Sequence, residues 1–451
     1  MIMKLSTSIL SFLIILSSCV ETKTYDLVIK NANLFDSKTG TVLNNLTILV
    51  NADVIADLTG SKKNYDAKNT IDAKGRLVTP GFVDTHIHPT DVFGDYSDAP
   101  GYLAKDSLDF LRKKLSDNYL PYGITTAMIM GQPENWLPPI LNWSKKPVPG
   151  YLDIYTTGGA FISNESRKPY INHIEVESPL AAKQKVLEYY KLGIRHIKLY
   201  WRLLRPEFEA AFKTADSLGM KVYGHIDQNR MFMDETLIIG LRNYEHLLTI
   251  DNSVLHFQND GAAFSLDMQK NYPPINPGFT AVRLEMFRFI HEKKKAAMDS
   301  LIDKLATNKV SFSTTIHVMA EQFGLAYFSN KTGSSLNNEQ LARCRDNFKI
   351  FMSYGKQLFD KGVKIRIGTD CPNGGKAFIS EQLLLFENGF SIPAILQIST
   401  INGATALGLD NKYGSIEKGK KANILIWDKN PFDDYKNFLS DKTIIKDGVQ
   451  K

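Results

Sequence analysis

Between residues 81 and 368 the chain alternates short apolar, β-branched runs with stretches of helical periodicity, and this alternation limits its fold more than any other feature. Strands covered on both faces read as continuous apolar runs, whereas the helices covering them repeat about every 3.6 residues. The pattern predicts strands at 81–85, 125–130, 152–157, 196–200, 221–224, 243–245, 310–316 and 363–368, with helices such as 179–192 and 206–219 between them. Eight parallel strands alternating with helices predict an α/β chain closed into a (β/α)8 TIM barrel. A length of 451 residues with 43% hydrophobic content is enough for that barrel and one smaller unit.

The ends follow a different rule. Residues 25–50 alternate polar and apolar side chains, and so do 422–428 and 443–450, as short antiparallel strands do. Neither set can bury two sheet faces alone, so the two are expected to pair into a small β-sandwich. Its parts would be 19–79 and 414–451, flanking a barrel of 80–413. Residues 1–18 read as a signal peptide, with a basic start at Lys4, an apolar run from Ile9 to Leu16 and small residues before Cys19. That run is shorter than the roughly 20 apolar residues a membrane span needs. Leu16-Ser17-Ser18-Cys19 resembles a bacterial lipobox, so Cys19 is expected to carry lipid and to hold the protein at the cell envelope, periplasmic or surface-facing.

The formal charge of +6 comes from 54 basic and 48 acidic side chains without a concentrated basic stripe, which nominates no nucleic-acid partner. Beyond Cys19 only Cys344 and Cys371 remain, too few for a disulfide framework and read as packing residues. The connection at 251–308 is long, with a Pro/Gly-rich part from Tyr272 to Gly278, and is expected to be a lid at the barrel mouth. Lys293, Lys294 and Lys295 inside it read as a solvated helix face.

His86-Ile87-His88 closes the first barrel strand, and the one-residue spacing puts both imidazoles on one side of it. Lys198, His225, His246 and Asp370 stand where other strands should end, so six ligand-type residues would converge on one rim. With Val78-Thr-Pro-Gly-Phe-Val-Asp-Thr-His-Ile-His88, Ile367-Gly-Thr-Asp370, Ser399-Thr-Ile-Asn-Gly-Ala-Thr-Ala-Leu-Gly408 and Gly414-Ser-Ile-Glu-Lys-Gly-Lys-Lys-Ala-Asn-Ile-Leu-Ile-Trp427, the chain resembles the amidohydrolase superfamily, in its imidazolonepropionase-like and prolidase-like branch.

The resemblance implies two divalent ions, Zn2+ first with Mn2+, Fe2+, Co2+ or Ni2+ as alternatives. It makes His86, His88 and Asp370 ligands of the buried ion, and His225 and His246 ligands of the outer one. Lys198 would bridge them as a carbamate, since an ammonium has no lone pair for a cation. It further implies cleavage of an amide bond in a small peptide-like, N-acyl or cyclic substrate by a metal-held hydroxide, with Asp370 moving the proton. A mononuclear deaminase and a lipoprotein that only binds its ligand are the rival readings.

Arg202 and His317 are the candidate substrate contacts, with Arg205 beside them. Tyr200 and Trp201 read as packing that could also line the pocket. His173, His256 and His291 read as loop or helix residues, and His196 as a core or supporting residue one pleat below Lys198.

Overall fold

The computed structural model describes residues 24–60, 65–94, 99–100, 107–164, 170–227, 230–272, 276–329 and 335–451. The lipobox and Cys19 lie outside these residues.

The two ends of the chain join in one eight-stranded sheet. Thr24–Asp36 pairs antiparallel with Thr41–Asn51, which pairs with Val54–Gly60. Leu77–Pro80 is the seam: it runs parallel to the first strand and antiparallel to Ile424–Trp427, which continues to Lys442–Lys446 and Val449–Gln450. One face of this sheet buries Leu27, Ile29, Ile48, Val50, Val78, Ile424 and Ile445 in a core of its own. Each such side chain contributes roughly 1.5–3 kcal/mol when fully buried.

The eight strands expected between the ends are all present. Phe82–Ile87, Ile124–Ile129 and Asp153–Thr156 form a three-stranded parallel sheet. His196–Leu199, Lys221–Gly224, Asn243–Tyr244, Ser311–Ser313 and Lys364–Arg366 run in order through a seven-stranded parallel sheet. The sheets curl toward each other, because the Thr85 N–H donates to Ile367 O and the Asp370 N–H to His86 O, each at 2.9 Å. Helices follow the strands. Pro179–Leu192 shows why: Ser178 caps it through the Ala181 N–H, Pro179 opens it, and Gly193 ends it at φ 95°.

Two departures from the sequence reading affect the site. Two further strands, Ala160–Ser163 and His173–Val176, add to the edge of the seven-stranded sheet, so His173 is a strand residue and not a loop or helix residue. The expected lid is instead the three helices Phe257–Asn271, Phe279–Lys293 and Lys295–Thr307, which bury Phe264, Leu284, Phe287, Ile290, Met298 and Leu301. Lys293, Lys294 and Lys295 do form a solvated face, paired with Asp267, Asp260 and Asp299.

Candidate metal centre

The six ligand-type side chains meet at the C-terminal ends of the parallel strands, and all of them but His86 line a cavity of about 610 Å³. His86 Nε2 and His88 Nε2 are 3.3 Å apart, and Asp370 Oδ1 lies 3.5 Å from the first and 3.1 Å from the second. Lys198 Nζ is 3.0 Å from His86 Nε2. The His246 ring is 4.8 Å from the His86 ring and 4.3 Å from the His225 ring. Gly368 permits the tight approach of the last strand, since a Cβ there would stand 2.6 Å from His86 Cβ.

Three residues facing this cavity take left-handed backbone angles without being glycine: His246 at φ 64°, Thr315 at 52° and Asp370 at 48°. Each such residue costs on the order of 1–3 kcal/mol and persists where its surroundings fix it. Here hydrogen bonds from the Thr315 N–H to Gly368 O at 3.1 Å and from the Asp370 N–H to His86 O do so.

One nitrogen of each imidazole is occupied by an acceptor. His86 Nδ1 donates to Glu245 Oε2 at 2.6 Å, and His88 Nδ1 to Gly131 O at 2.9 Å. His225 Nε2 donates to Asp227 Oδ2 at 3.4 Å. The Thr315 hydroxyl gives its proton to Thr314 O at 2.7 Å and accepts from His246 Nδ1 at 3.3 Å. The second nitrogen of His86, His225 and His246 is thereby left as a lone pair, and His225 Nδ1 is buried with no hydrogen-bond partner among the described residues. Such partners behind the ligands fix tautomer and ring orientation in metal sites. Among the described residues His86, His88 and Asp370 have one ligand atom each within 4.8 Å of one another. This donor set fits a divalent cation.

The electrostatics agree at three of the four rings; at His88 burial lowers the imidazole, but the hydrogen bond and charge of Asp370 outweigh it and raise its pKa. Burial, with the Lys198 charge next, holds His86 far below the usual imidazole value, and burial also lowers His225 and His246. Neutral imidazole is the form that ligates. Burial alone would raise Asp370, but the surrounding imidazoles of His86, His88 and His246 override it and keep the carboxylate ionised. Burial pulls the Lys198 amine down from the normal lysine range.

Several supporting residues went unread in the sequence. Glu245 bridges His86 to Arg366, a fully buried guanidinium that also donates to Ser311 Oγ at 2.7 Å. Asp227 accepts from Arg283 at 2.8 and 2.9 Å. His173 lines the cavity between Tyr170 and Tyr200, its ring 4.9 and 4.4 Å from theirs, and burial pulls its pKa down to about 2. Tyr200 lines the cavity too.

The two expected substrate contacts are placed otherwise. Arg202 is 1% exposed and His317 sits in the short helix Ile316–Glu321 with its N–H donating to Glu381; neither is among the residues lining the cavity. Arg205 is a surface residue paired with Glu209 and Glu235. His256 stacks on Phe232, His291 meets Tyr354, and His196 contacts Tyr223 away from the six ligand-type residues.

A family model described as the amidohydrolase family matches residues 349–449, a stretch that contains Asp370 and the motifs from Ser399 and Gly414. An imidazolonepropionase of Clostridium tetani (strain Massachusetts / E88) is 24% identical, over 94% of this chain and 97% of that protein. The crystal structure of a Xaa-Pro dipeptidase with bound methionine in the active site superposes with a TM-score of 0.67 at 19% identity, covering 94% of this chain and 99% of that one. A bottromycin amidohydrolase gives 0.68 at 18% identity, covering 94% and 86%. The chain thus resembles the amidohydrolases in sequence, as its motifs indicated, and shares the fold of these solved structures.

Proposed function

We propose that the chain is a metal-dependent hydrolase that cleaves the amide C–N bond of a small peptide-like, N-acyl or cyclic amide. The observation that carries this reading is that all four imidazoles have one nitrogen committed to a partner behind them, in one cluster with the carboxylate of Asp370. The similarity to amidohydrolases supports C–N hydrolysis as the reaction. In the same reading the curled parallel strands make one (β/α)8 barrel over 80–413, and the terminal strands a β-sandwich from 19–79 and 414–451. Attachment to the cell envelope through Cys19 rests on the lipobox alone.

His86, His88 and Asp370 would hold the inner of two divalent ions, Zn2+ foremost, and His225 and His246 the outer. Ions bound there would acidify a water and polarise the scissile carbonyl. Asp370, ionised and open to the cavity, accepts the proton of the attacking water and returns it to the leaving nitrogen. Lys198 completes the set once its amine adds CO2. The Nζ lone pair attacks the carbon, the N–C bond forms, one N–H proton passes to solvent, and the carbamate gains two oxygens and a negative charge. Its buried amine, lowered from the normal range, is suited to that step.

The test is metal analysis of purified protein together with turnover of dipeptides, N-acyl amino acids, cyclic amides, lactones and aminated heterocycles. Two ions per chain with amide cleavage is the expected result. One ion with ammonia release confined to the heterocycles would make the chain a deaminase. No metal and no turnover would make it a binding protein.

A further inference from the structure

We propose that the Phe279–Lys293 helix is the specificity element of this cavity, and that it selects a neutral apolar substituent on the substrate. For the nature of the reacting bond the inference rests on the hydrolase reading above. Phe279 opens the helix and is 58% exposed, yet its ring lines the cavity together with Leu248, Val318 and Met319. The same cavity is also lined by the aromatic set of Tyr170, His173 and Tyr200. An acyl or side-chain group in this cavity would bury apolar area against such side chains, which is the term that rewards chain length.

One residue ties the helix to the site. Arg283, four residues after Phe279 and 3% exposed, donates to both oxygens of Asp227 at 2.9 and 2.8 Å, to Asp251 Oδ2 at 2.8 Å and to Leu248 O at 3.3 Å. Its guanidinium carbon stands 5.5 Å from the centre of the Phe279 ring. Asp227 in turn holds His225. Arg283 is therefore a positioning residue: it sets the Phe279 ring over the cavity and ties the selecting helix to the ligand-type histidine through a single carboxylate. The fork-to-fork pair is with Asp251, where Nε donates to Oδ2 and Nη2 to Oδ1, and it leaves Nη1 for Asp227; lysine supplies a point charge without the second arm.

The experiment measures binding of acetyl, butanoyl and hexanoyl alaninamide by calorimetry on full-length protein stripped of metal, and KM and kcat for the same ladder on metal-loaded protein. Affinity should rise about two- to four-fold per methylene. Phe279→Ala should collapse the ladder, with hexanoyl falling roughly 16- to 250-fold to the level of acetyl, the whole of the four-methylene gradient, while Phe279→Leu restores most of the gradient. Arg283→Lys should raise KM for the hexanoyl member far more than it lowers kcat. A flat ladder in the parent protein, or a gradient that survives Phe279→Ala, overturns the proposal. Turnover with a flat ladder would sink this inference alone. A Phe279-dependent ladder with no turnover of any amide would sink the hydrolase reading and leave the inference standing.

Discussion

Two charge clusters at opposite ends of the parallel strands each set lysine beside carboxylate and reach opposite states. Where the terminal sheet meets the start of the Asp153–Thr156 strand, Lys446 Nζ bonds Asp153 Oδ1 at 3.0 Å and also Asp447. Lys421 reaches Asp53 at 2.5 Å and Asp447 at 3.0 Å, and Asn423 donates to Asp153 Oδ2 at 3.0 Å. Each of these cations meets carboxylates. At the C-terminal ends, Lys198 instead stands among four imidazoles gathered around one carboxylate, and burial pushes three of them, His86, His225 and His246, toward the neutral form. A cluster that satisfies itself fastens two parts of a fold together, whereas one left with surplus lone pairs is built to receive a cation.

The comparison breaks most severely at Asp370. Asp370→Asn keeps the fold and lowers kcat by roughly 10²–10⁴-fold, the range lost when a positioned proton carrier is removed. Lys198→Ala should lose metal and turnover together. Steady-state kinetics with metal analysis reads both, and wild-type turnover with full metal in either variant would remove the assigned roles.

Lys446→Met tests the other end. Removing the cation leaves Asp153 and Asp447 buried against each other's charge, and breaking a buried pair costs about 3–5 kcal/mol. Chemical denaturation should show that loss, with metal content of the folded fraction unchanged. If metal content fell and stability did not, the two clusters would not be separate in kind.

Much of this was legible in the sequence, for local reasons. Apolar runs such as 221–224 mark strands buried on both faces, and ligand-type residues one or two positions past a run, as at His225 and His246, fall on the rim by the geometry of the barrel. Side-chain direction was not legible. Arg202 follows its strand by three residues, as an active-face residue would, yet it turns into the protein. Glu245 closes an apolar run beside His246, and nothing local says that it reaches across to His86, 159 positions away. The Pro- and Gly-rich residues from Tyr272 to Gly278 suggested a loose lid because they dominate that stretch locally. The helices on either side owe their order to distant contacts, among them Arg283 with Asp227.

Glu245→Gln sharpens the distinction on the rim side. The amide oxygen still accepts from His86 or Arg366, but not both with a full negative charge, so His86 loses part of its orientation. Loss of such a supporting group typically weakens metal affinity 10–100-fold. Competition against a chromogenic chelator measures it, and an affinity unchanged within two-fold would show that Glu245 serves the fold alone.

The smallest expected effect lies in Glu381, a fully buried carboxyl near the rim that, unlike Asp153, pairs with no lysine among the described residues. It accepts from the Thr314 hydroxyl and from the His317 N–H at 3.1 Å, and burial, outweighing these bonds, pushes its pKa up to about 8 from the ordinary 4.5 of a glutamate. Between those two values the native protein holds a proton that the unfolded chain has released. Stability therefore falls as pH rises through that window and levels off above about 8, with a slope of at most about 1.4 kcal/mol per pH unit. Glu381→Gln cannot release that proton. The variant should gain about 1.4 kcal/mol on the parent protein between pH 6 and pH 7 in denaturant unfolding, with other titrating groups cancelling in the difference. A gap that stays constant over that unit would mean that Glu381 is already ionised in the native state, and that a buried carboxylate can be held here without a cation.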